Sequence, residues 1–150
     1  MRNLIILSAL FLIVFSSCKK DEITKDLTTN VVGVYDGQIE SSFDFYDNQK
    51  VSVVKVSDTE VRIEPFLNSH ASSFYATLKE GKDGSILLTI DETAGKFSDG
   101  STFTIRGKVN MVKEDPSVSG YYLNTNKTFG YFILISYDGA EYEEMFLGNK

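Results

Sequence analysis

The side chains that most often carry out catalysis or hold metals are scarce in this chain. Its 150 residues include one histidine, His70, one cysteine, Cys18, and no tryptophan. A serine or cysteine nucleophile needs a base within hydrogen-bonding distance, and the Asn-Ser-His-Ala segment around His70 predicts a surface turn. One cysteine and one histidine are too few for a zinc site of several such ligands or for a disulfide within the chain. The sequence therefore predicts a protein that is not an enzyme, with no metal and no cofactor.

Carboxylates are the one reactive group in good supply, with 21 Asp and Glu against 15 Lys and Arg. A catalytic pair is defined by a separation of about 5 to 10 Å in space, so glycoside hydrolysis stays open as a third-ranked hypothesis. Glu141, Glu143 and Glu144 are clustered, but in a strand Glu141 and Glu143 share one face and Glu144 lies on the other. We interpret this cluster as part of a solvent-exposed outer face.

Two further segments are similar to ligand-binding loops only in composition. Asp44, Asp47 and Asn48 lack the regular spacing of a calcium loop, so we interpret them as turn formers. The segment Gly81–Gly84 has no Gly-Lys-Ser/Thr sequence and predicts a hairpin turn instead of a phosphate loop. The formal net charge of -6 is not that of a nucleic-acid-binding protein, so no nucleic acid partner is expected.

The first 17 residues have the layout of a secretory signal. A short positive start at Arg2 is followed by an apolar run from Leu4 to Phe15, interrupted only by Ser8, and then by small residues before Cys18. The run is shorter than the roughly 18 residues that a membrane-spanning helix needs. Two interpretations give Cys18 no role of its own: an ordinary cleaved signal and a slightly short transmembrane helix.

The sequence Phe15, Ser16, Ser17, Cys18 resembles the lipobox of Gram-negative bacterial lipoproteins, with Phe15 where the pattern usually has an aliphatic residue. The resemblance implies cleavage before Cys18 and acylation of that residue, palmitate included. It also implies attachment to the outer membrane, on the periplasmic face or at the cell surface. At about 0.8 kcal/mol per buried methylene, a multiply acylated N-terminus would be held almost irreversibly.

Residues 18–30 predict a polar tether, because after Cys18 they are mostly polar or charged and carry too little apolar surface to fold alone. Fully extended, a dozen residues reach on the order of 40 Å. Within the tether, Lys20, Asp21 and Glu22 resemble the basic-then-acidic signal of surface-exported lipoproteins. An ordinary solvated linker explains them equally well.

From Val31 onward apolar and polar residues alternate with a period of two, which predicts strands. The clearest case places Phe103, Ile105 and Met111 on one face, with Thr104 and Arg106 on the other. There are about nine strand candidates: 31–40, 50–56, 60–66, 73–80, 85–91, 103–111, 118–123, 130–137 and 141–147.

Short turns between many short strands favour an antiparallel meander. Asp138 and Gly139 predict a two-residue type I′ turn between the last two strands. A meander of this length must curl, and closure removes exposed edges. We therefore expect residues 31–150 to form an all-β, up-and-down antiparallel β-barrel of about eight strands. A two-sheet β-sandwich is the alternative, because the connections 41–49 and 93–101 are long enough to cross between sheets.

The first predicted strand contains Gly33, Val34 and Tyr35. This Gly-x-aromatic opening, followed by an antiparallel meander, resembles the lipocalin-like, or calycin-like, barrels that bacteria secrete as lipoproteins. The usual aromatic residue of that family is Trp. The resemblance implies that Tyr35 closes one end of the barrel.

Aromatic residues make up 13% of the chain. Several lie in predicted strands, where they either line a cavity or fill the core: Phe74, Phe103, Tyr121, Tyr131 and Tyr137. Another group, Phe43, Phe45 and Tyr46, lies beside a turn and forms either a contact surface or a lid. The leading hypothesis is a non-enzymatic binding module for a small apolar or glycan-like ligand, with no ligand-binding residue assigned. The alternative is a cell-surface interaction or structural module with a filled barrel.

Overall fold

The computed structural model describes residues 25–65, 71–97, 99–109 and 115–150. Within these ranges the chain is all-β, as predicted, with one short helix and ten strands in a single antiparallel sheet. The elements are α1 (Thr28–Val31), β1 (Gly33–Ser41), β2 (Phe45–Lys55), β3 (Glu60–Pro65), β4 (Phe74–Glu80), β5 (Ile86–Ile90), β6 (Thr93–Lys96), β7 (Thr102–Gly107), β8 (Gly120–Leu123), β9 (Thr128–Tyr137) and β10 (Ala140–Asn149).

Part of the sheet is ringed. The strand order is β10-β1-β2-β3-β4-β5-β8-β9-β7-β6, and β9 pairs in addition with β10. Along one edge, all ten residues of β9 pair with β10. Along its other edge, the first part of β9 pairs with β8 and the second part pairs with β7. The series of paired strands therefore returns to its start: it runs β10, β1, β2, β3, β4, β5, β8 and β9, and β9 pairs again with β10. Strands β7 and β6 extend beyond this ring.

The first hairpin differs from its prediction. Strand β2 begins at Phe45 instead of residue 50, because Asp47 and Asn48 lie within the strand and not in a turn. Asn48 adopts a left-handed backbone conformation with φ of 56°, and the register between β1 and β2 shifts nearby, between Gly37 and Ile39. This irregularity accommodates typical turn residues inside a paired strand. The segment 41–49 is therefore a tight hairpin and does not cross between sheets.

Two elements were not expected from the sequence. Strand β6 lies inside the predicted connection 93–101 and pairs with β7. Helix α1 lies where the tether was predicted to meet the first strand. Its start is held by Asp26, whose Oδ1 accepts hydrogen bonds from the Thr28 amide at 2.9 Å and the Thr28 hydroxyl at 2.6 Å.

By contrast, the two-residue turn between β9 and β10 is confirmed, since Asp138 and Gly139 both have positive φ, at 50° and 76°.

The inward face of the sheet is packed with side chains, many of them aromatic. The Tyr35 and Phe129 rings stack at 4.8 Å, and the Tyr131 ring lies 5.6 Å from Phe146 and 5.2 Å from Phe74. The buried cluster consists of Val31, Tyr35, Ile39, Val51, Val53, Val61, Ile63, Phe74, Ala76, Leu78, Ile86, Leu88, Ile90, Phe103, Ile105, Tyr122, Phe129, Tyr131, Ile133, Ile135 and Phe146.

Of the five strand aromatics predicted to line a cavity or fill the core, four pack inward and one does not. Phe74, Phe103 and Tyr131 belong to the buried cluster, and Tyr137 is half-buried against it. Tyr121 lies on the outer face, opposite Gly130 in the neighbouring strand. A side chain at Gly130 would begin 3.5 Å from the Tyr121 ring, so this ring covers the bare backbone of the glycine.

Helix α1 covers one end of the sheet, which we call the α1 end. Val31 is buried there, and the Tyr35 hydroxyl donates a hydrogen bond to its carbonyl oxygen. The Lys150 ammonium lies 5.5 Å from the centre of the Tyr35 ring and donates to the Asn30 carbonyl at 2.7 Å. Lys25, the first described residue, forms an ion pair with Glu80 at 2.6 Å at the same end. The turns after β1 and β9 lie at the opposite end, the hairpin end.

Candidate functional site

The residues that the sequence singled out for chemistry do not converge in the described part of the chain. Cys18 and His70 lie outside the described residues. Glu141 and Glu143 are exposed on the outer face, where they form ion pairs at 2.6 Å with Arg106 and Lys108 respectively. Arg106 holds the pKa of the Glu141 carboxyl below its ordinary value, so this carboxylate is charged and paired.

Glu144 is the exception to our interpretation of that cluster, because it is only 1% exposed and faces the interior. It pairs with Ile133 in the register of β9 and β10, one inward position away from Tyr131. Burial raises the pKa of Tyr131, and the charge of Glu144 raises it further, so the phenol stays protonated. Strand alternation already places Glu144 on the face opposite Glu141 and Glu143, and the structure shows that this is the core face, shared with Phe146; the interpretation of the cluster as solvent-exposed is therefore wrong for Glu144.

Two further findings apply to the described residues alone. Within them, no group of three or more His, Cys, Asp or Glu side chains is arranged to hold a metal ion. Nor does the same part of the chain contain a helix long and apolar enough to cross a membrane. Asp44 accepts a hydrogen bond from the Tyr46 hydroxyl at 3.1 Å and so has a local structural role.

The two most exposed large apolar side chains of the described residues lie on the β1–β2 hairpin. Phe43 is 63% exposed and Phe45 is 53% exposed. Tyr46 is half-buried and packs against the core, so only two of the three predicted aromatics face solvent. We call residues 41–47 the hairpin tip.

Hydrogen bonds fix the shape of the hairpin tip. The Ser41 amide donates to the Asp44 carbonyl at 2.8 Å, and the Ser41 hydroxyl oxygen accepts from the amides of Phe43 and Asp44 at 3.3 and 3.1 Å. Ser42 is joined to β10, because the Glu143 amide donates to its hydroxyl oxygen at 2.8 Å. The Phe43 ring lies 5.0 Å from the Tyr142 ring. The backbone that carries the two exposed phenylalanines is thus held by hydrogen bonds, and the Phe43 ring packs against Tyr142.

An acidic groove adjoins the hairpin tip on the outer face. Its volume is about 560 Å³, and it is lined by Asp36, Gly37, Gln38, Asp47 and Asn48. The bulge at Asn48 and the register shift in β1 form this groove. Nearby, Glu40 lies directly opposite Phe45 in the pairing of β1 with β2. A carboxylate therefore lies across the strand pair from the exposed Phe45.

A second outer cavity, of about 530 Å³, lies beside the β4–β5 turn. Its apolar lining comes from Leu87, Tyr121 and Leu123, and the ion pair between Lys79 and Asp115, at 2.9 Å, lies at its edge. Hydrogen bonds from Ser117 and Lys79 lower the pKa of Asp115 to about 2. At this cavity Asp115 and Lys79 are paired with each other, and the Tyr121 ring packs over Gly130.

No protein-family model, curated protein or solved structure matches this chain. Three features of the described residues bear on function: the packed interior, the exposed hairpin tip and the adjoining acidic groove.

Proposed function

We propose that this chain is a lipid-anchored, non-enzymatic interaction module that contacts another protein through its hairpin tip. The observation that carries the proposal is the exposure of Phe43 and Phe45, at 63% and 53%, on a turn held by hydrogen bonds. Aromatic side chains that are exposed and held rigidly are typical of binding surfaces, because they bury a large area at a small entropic cost.

The proposal includes a closed, lipocalin-like barrel. The pairings that lead from β10 through six strands to β9 and back support closure. The position of Tyr35 supports the resemblance to lipocalin-like proteins, since its ring lies under α1 and beside Lys150 at one end of the sheet. An eight-stranded ring has an interior just wide enough for packed side chains or one small ligand.

A packed interior favours the interaction module over a carrier of small ligands. Pockets for drug-sized ligands usually enclose about 300–1,000 Å³, and the two cavities of that size described above lie on the outer face. The inward positions instead hold fully buried rings, of which Phe74 and Phe129 are examples. A small apolar or glycan-like ligand in the mouth is the second candidate, favoured by one observation: Glu144 and Tyr131 place polar groups inside the sheet.

The proposed anchor supports contact with a partner at the hairpin end of the domain. Acylation at Cys18 would attach the chain seven residues before Lys25, which lies at the α1 end. Seven extended residues reach about 25 Å, and the ten residues of β10 span about 33 Å towards the hairpin end. With the α1 end next to the bilayer, the hairpin tip would lie about 33 Å farther out, and we therefore propose a protein as its partner in preference to those lipids.

Photo-crosslinking in intact cells tests this function. A benzophenone amino acid replaces Phe45 in one variant and Val56, which is 48% exposed at the α1 end, in the control. We expect a covalent protein adduct from position 45 and none from position 56, and Phe43→Ser should reduce the adduct. Absence of an adduct at position 45, or equal adducts at both positions, would contradict the proposal.

A further inference from the structure

We infer that the partner docks a cationic segment on the hairpin tip, with a Lys or Arg side chain in the acidic groove and an apolar side chain against Phe45. This inference rests on the proposed function, because it names the chemistry of the partner that the same surface would bind.

Three carboxylates near the exposed rings are not neutralised by a basic side chain in the described part of the chain. Within the described residues, Glu40, Asp44 and Asp47 take part in no ion pair. By contrast, Asp36 forms an ion pair with Lys50 at 2.8 Å, and Glu141 and Glu143 form ion pairs with Arg106 and Lys108 at 2.6 Å. Three carboxylates without a basic partner around two exposed rings create a local negative potential, which attracts a cationic surface and repels an anionic one.

The groove supplies the hydrogen-bond acceptors that a basic side chain requires. Lys and Arg carry only donors, and the lining offers the carboxylate of Asp47 and the amide oxygens of Gln38 and Asn48. Charge-assisted hydrogen bonds to carboxylates are about twice as strong as neutral ones. The exposed Phe45 ring adds a face over which the same cation or a neighbouring apolar side chain can lie.

The same charges exclude other occupants. Nucleic acids and anionic lipid headgroups carry the charge of the groove, and the net charge of the chain is -6. A second copy of this chain would bring an identical acidic tip against the first. A cationic protein segment is the occupant that satisfies both the rings and the carboxylates.

The test uses the full chain in detergent micelles and a phage library of random twelve-residue peptides. Peptides are selected on the native chain and counter-selected on the Phe43→Ser/Phe45→Ser variant, so that binders of the hairpin tip are retained. We expect the retained peptides to carry net positive charge. For a synthetic retained peptide, Glu40→Gln/Asp47→Asn should raise Kd about five- to tenfold in fluorescence anisotropy, since each exposed charge contributes about 0.2–1 kcal/mol.

The charge-matched control is Glu60→Gln/Glu92→Gln, which removes two carboxylates elsewhere and should change Kd less than twofold. Circular dichroism of each variant establishes that the strand content is retained. Retained peptides without positive charge, or equal effects of the two charge variants, would overturn the cationic partner and leave the docking surface intact. If no peptide depends on Phe43 and Phe45, the proposed function fails together with this inference.

Discussion

Truncation of one interior ring, Phe129→Ala, should cost a large part of the free energy of unfolding. Phe129 is fully buried, and its ring lies 4.8 Å from Tyr35, 6.2 Å from Tyr131 and 6.4 Å from Phe146. Removing a buried phenylalanine side chain costs about 3–5 kcal/mol, because transfer free energy is lost and a cavity remains. Because Phe129 contacts three other rings, we expect a loss of about 4 kcal/mol in the free energy of unfolding. Domains of this size are stable by only about 5–15 kcal/mol.

The matched control is Phe45→Ala, the same change at a half-exposed ring, which should cost less than about 1 kcal/mol. Urea unfolding can be followed by tyrosine fluorescence, because the chain has eight Tyr and no Trp. With an m-value of about 2 kcal/mol/M, Phe129→Ala should lower the midpoint by about 2 M. A loss below about 1.5 kcal/mol at Phe129, or equal losses in the two variants, would refute the packed interior on which the proposed function depends.

Three further predictions concern protons and the anchor. Burial raises the pKa of Tyr35 and Tyr131, so the stability they contribute is present below their ordinary pKa of about 10 and is lost as pH rises further. Ultraviolet titration should show that Tyr35 and Tyr131 ionise only when the protein unfolds. Reversible ionisation of all tyrosines near pH 10 in the folded protein would contradict this. The pKa of Asp115 is lowered to about 2, so its contribution is present above about 3.9 and lost as pH falls towards 2. Carbon NMR should find that midpoint, and Lys79→Met should raise it; an unchanged midpoint would count against the ion pair. Finally, Cys18→Ser should abolish acylation and release the chain from the membrane fraction, whereas a variant still retained there would disprove the anchor.

The fold class followed from the sequence wherever alternation was regular. Strand β7 shows why, since Phe103 and Ile105 face inward and Thr104 and Arg106 face outward as the period of two requires. Strand β6 was not predicted, because its residues, Thr-Ala-Gly-Lys, do not alternate between apolar and polar side chains. The start of β2 was placed late because Asp47 and Asn48 are typical turn formers, and only the pairing with β1 accommodates them in a strand.

The candidate site was predictable in part. The composition of residues 43–46 indicated an aromatic contact surface or a lid, but it did not show which of the three rings would be exposed, and only Phe43 and Phe45 are. The acidic groove could not be predicted, because it arises from a register shift between two strands. The burial of Glu144 could have been predicted, since strand alternation places it on the same face as Phe146.

A crystal structure of the full chain, purified from its own membranes, tests the central claim most directly. We expect the electron density between the sheet's inner faces to be fully explained by the chain's own side chains, with Phe43 and Phe45 accessible at the hairpin end. Density for a bound molecule beside Tyr131 and Glu144 would contradict it, and would move the function from the hairpin tip to the interior.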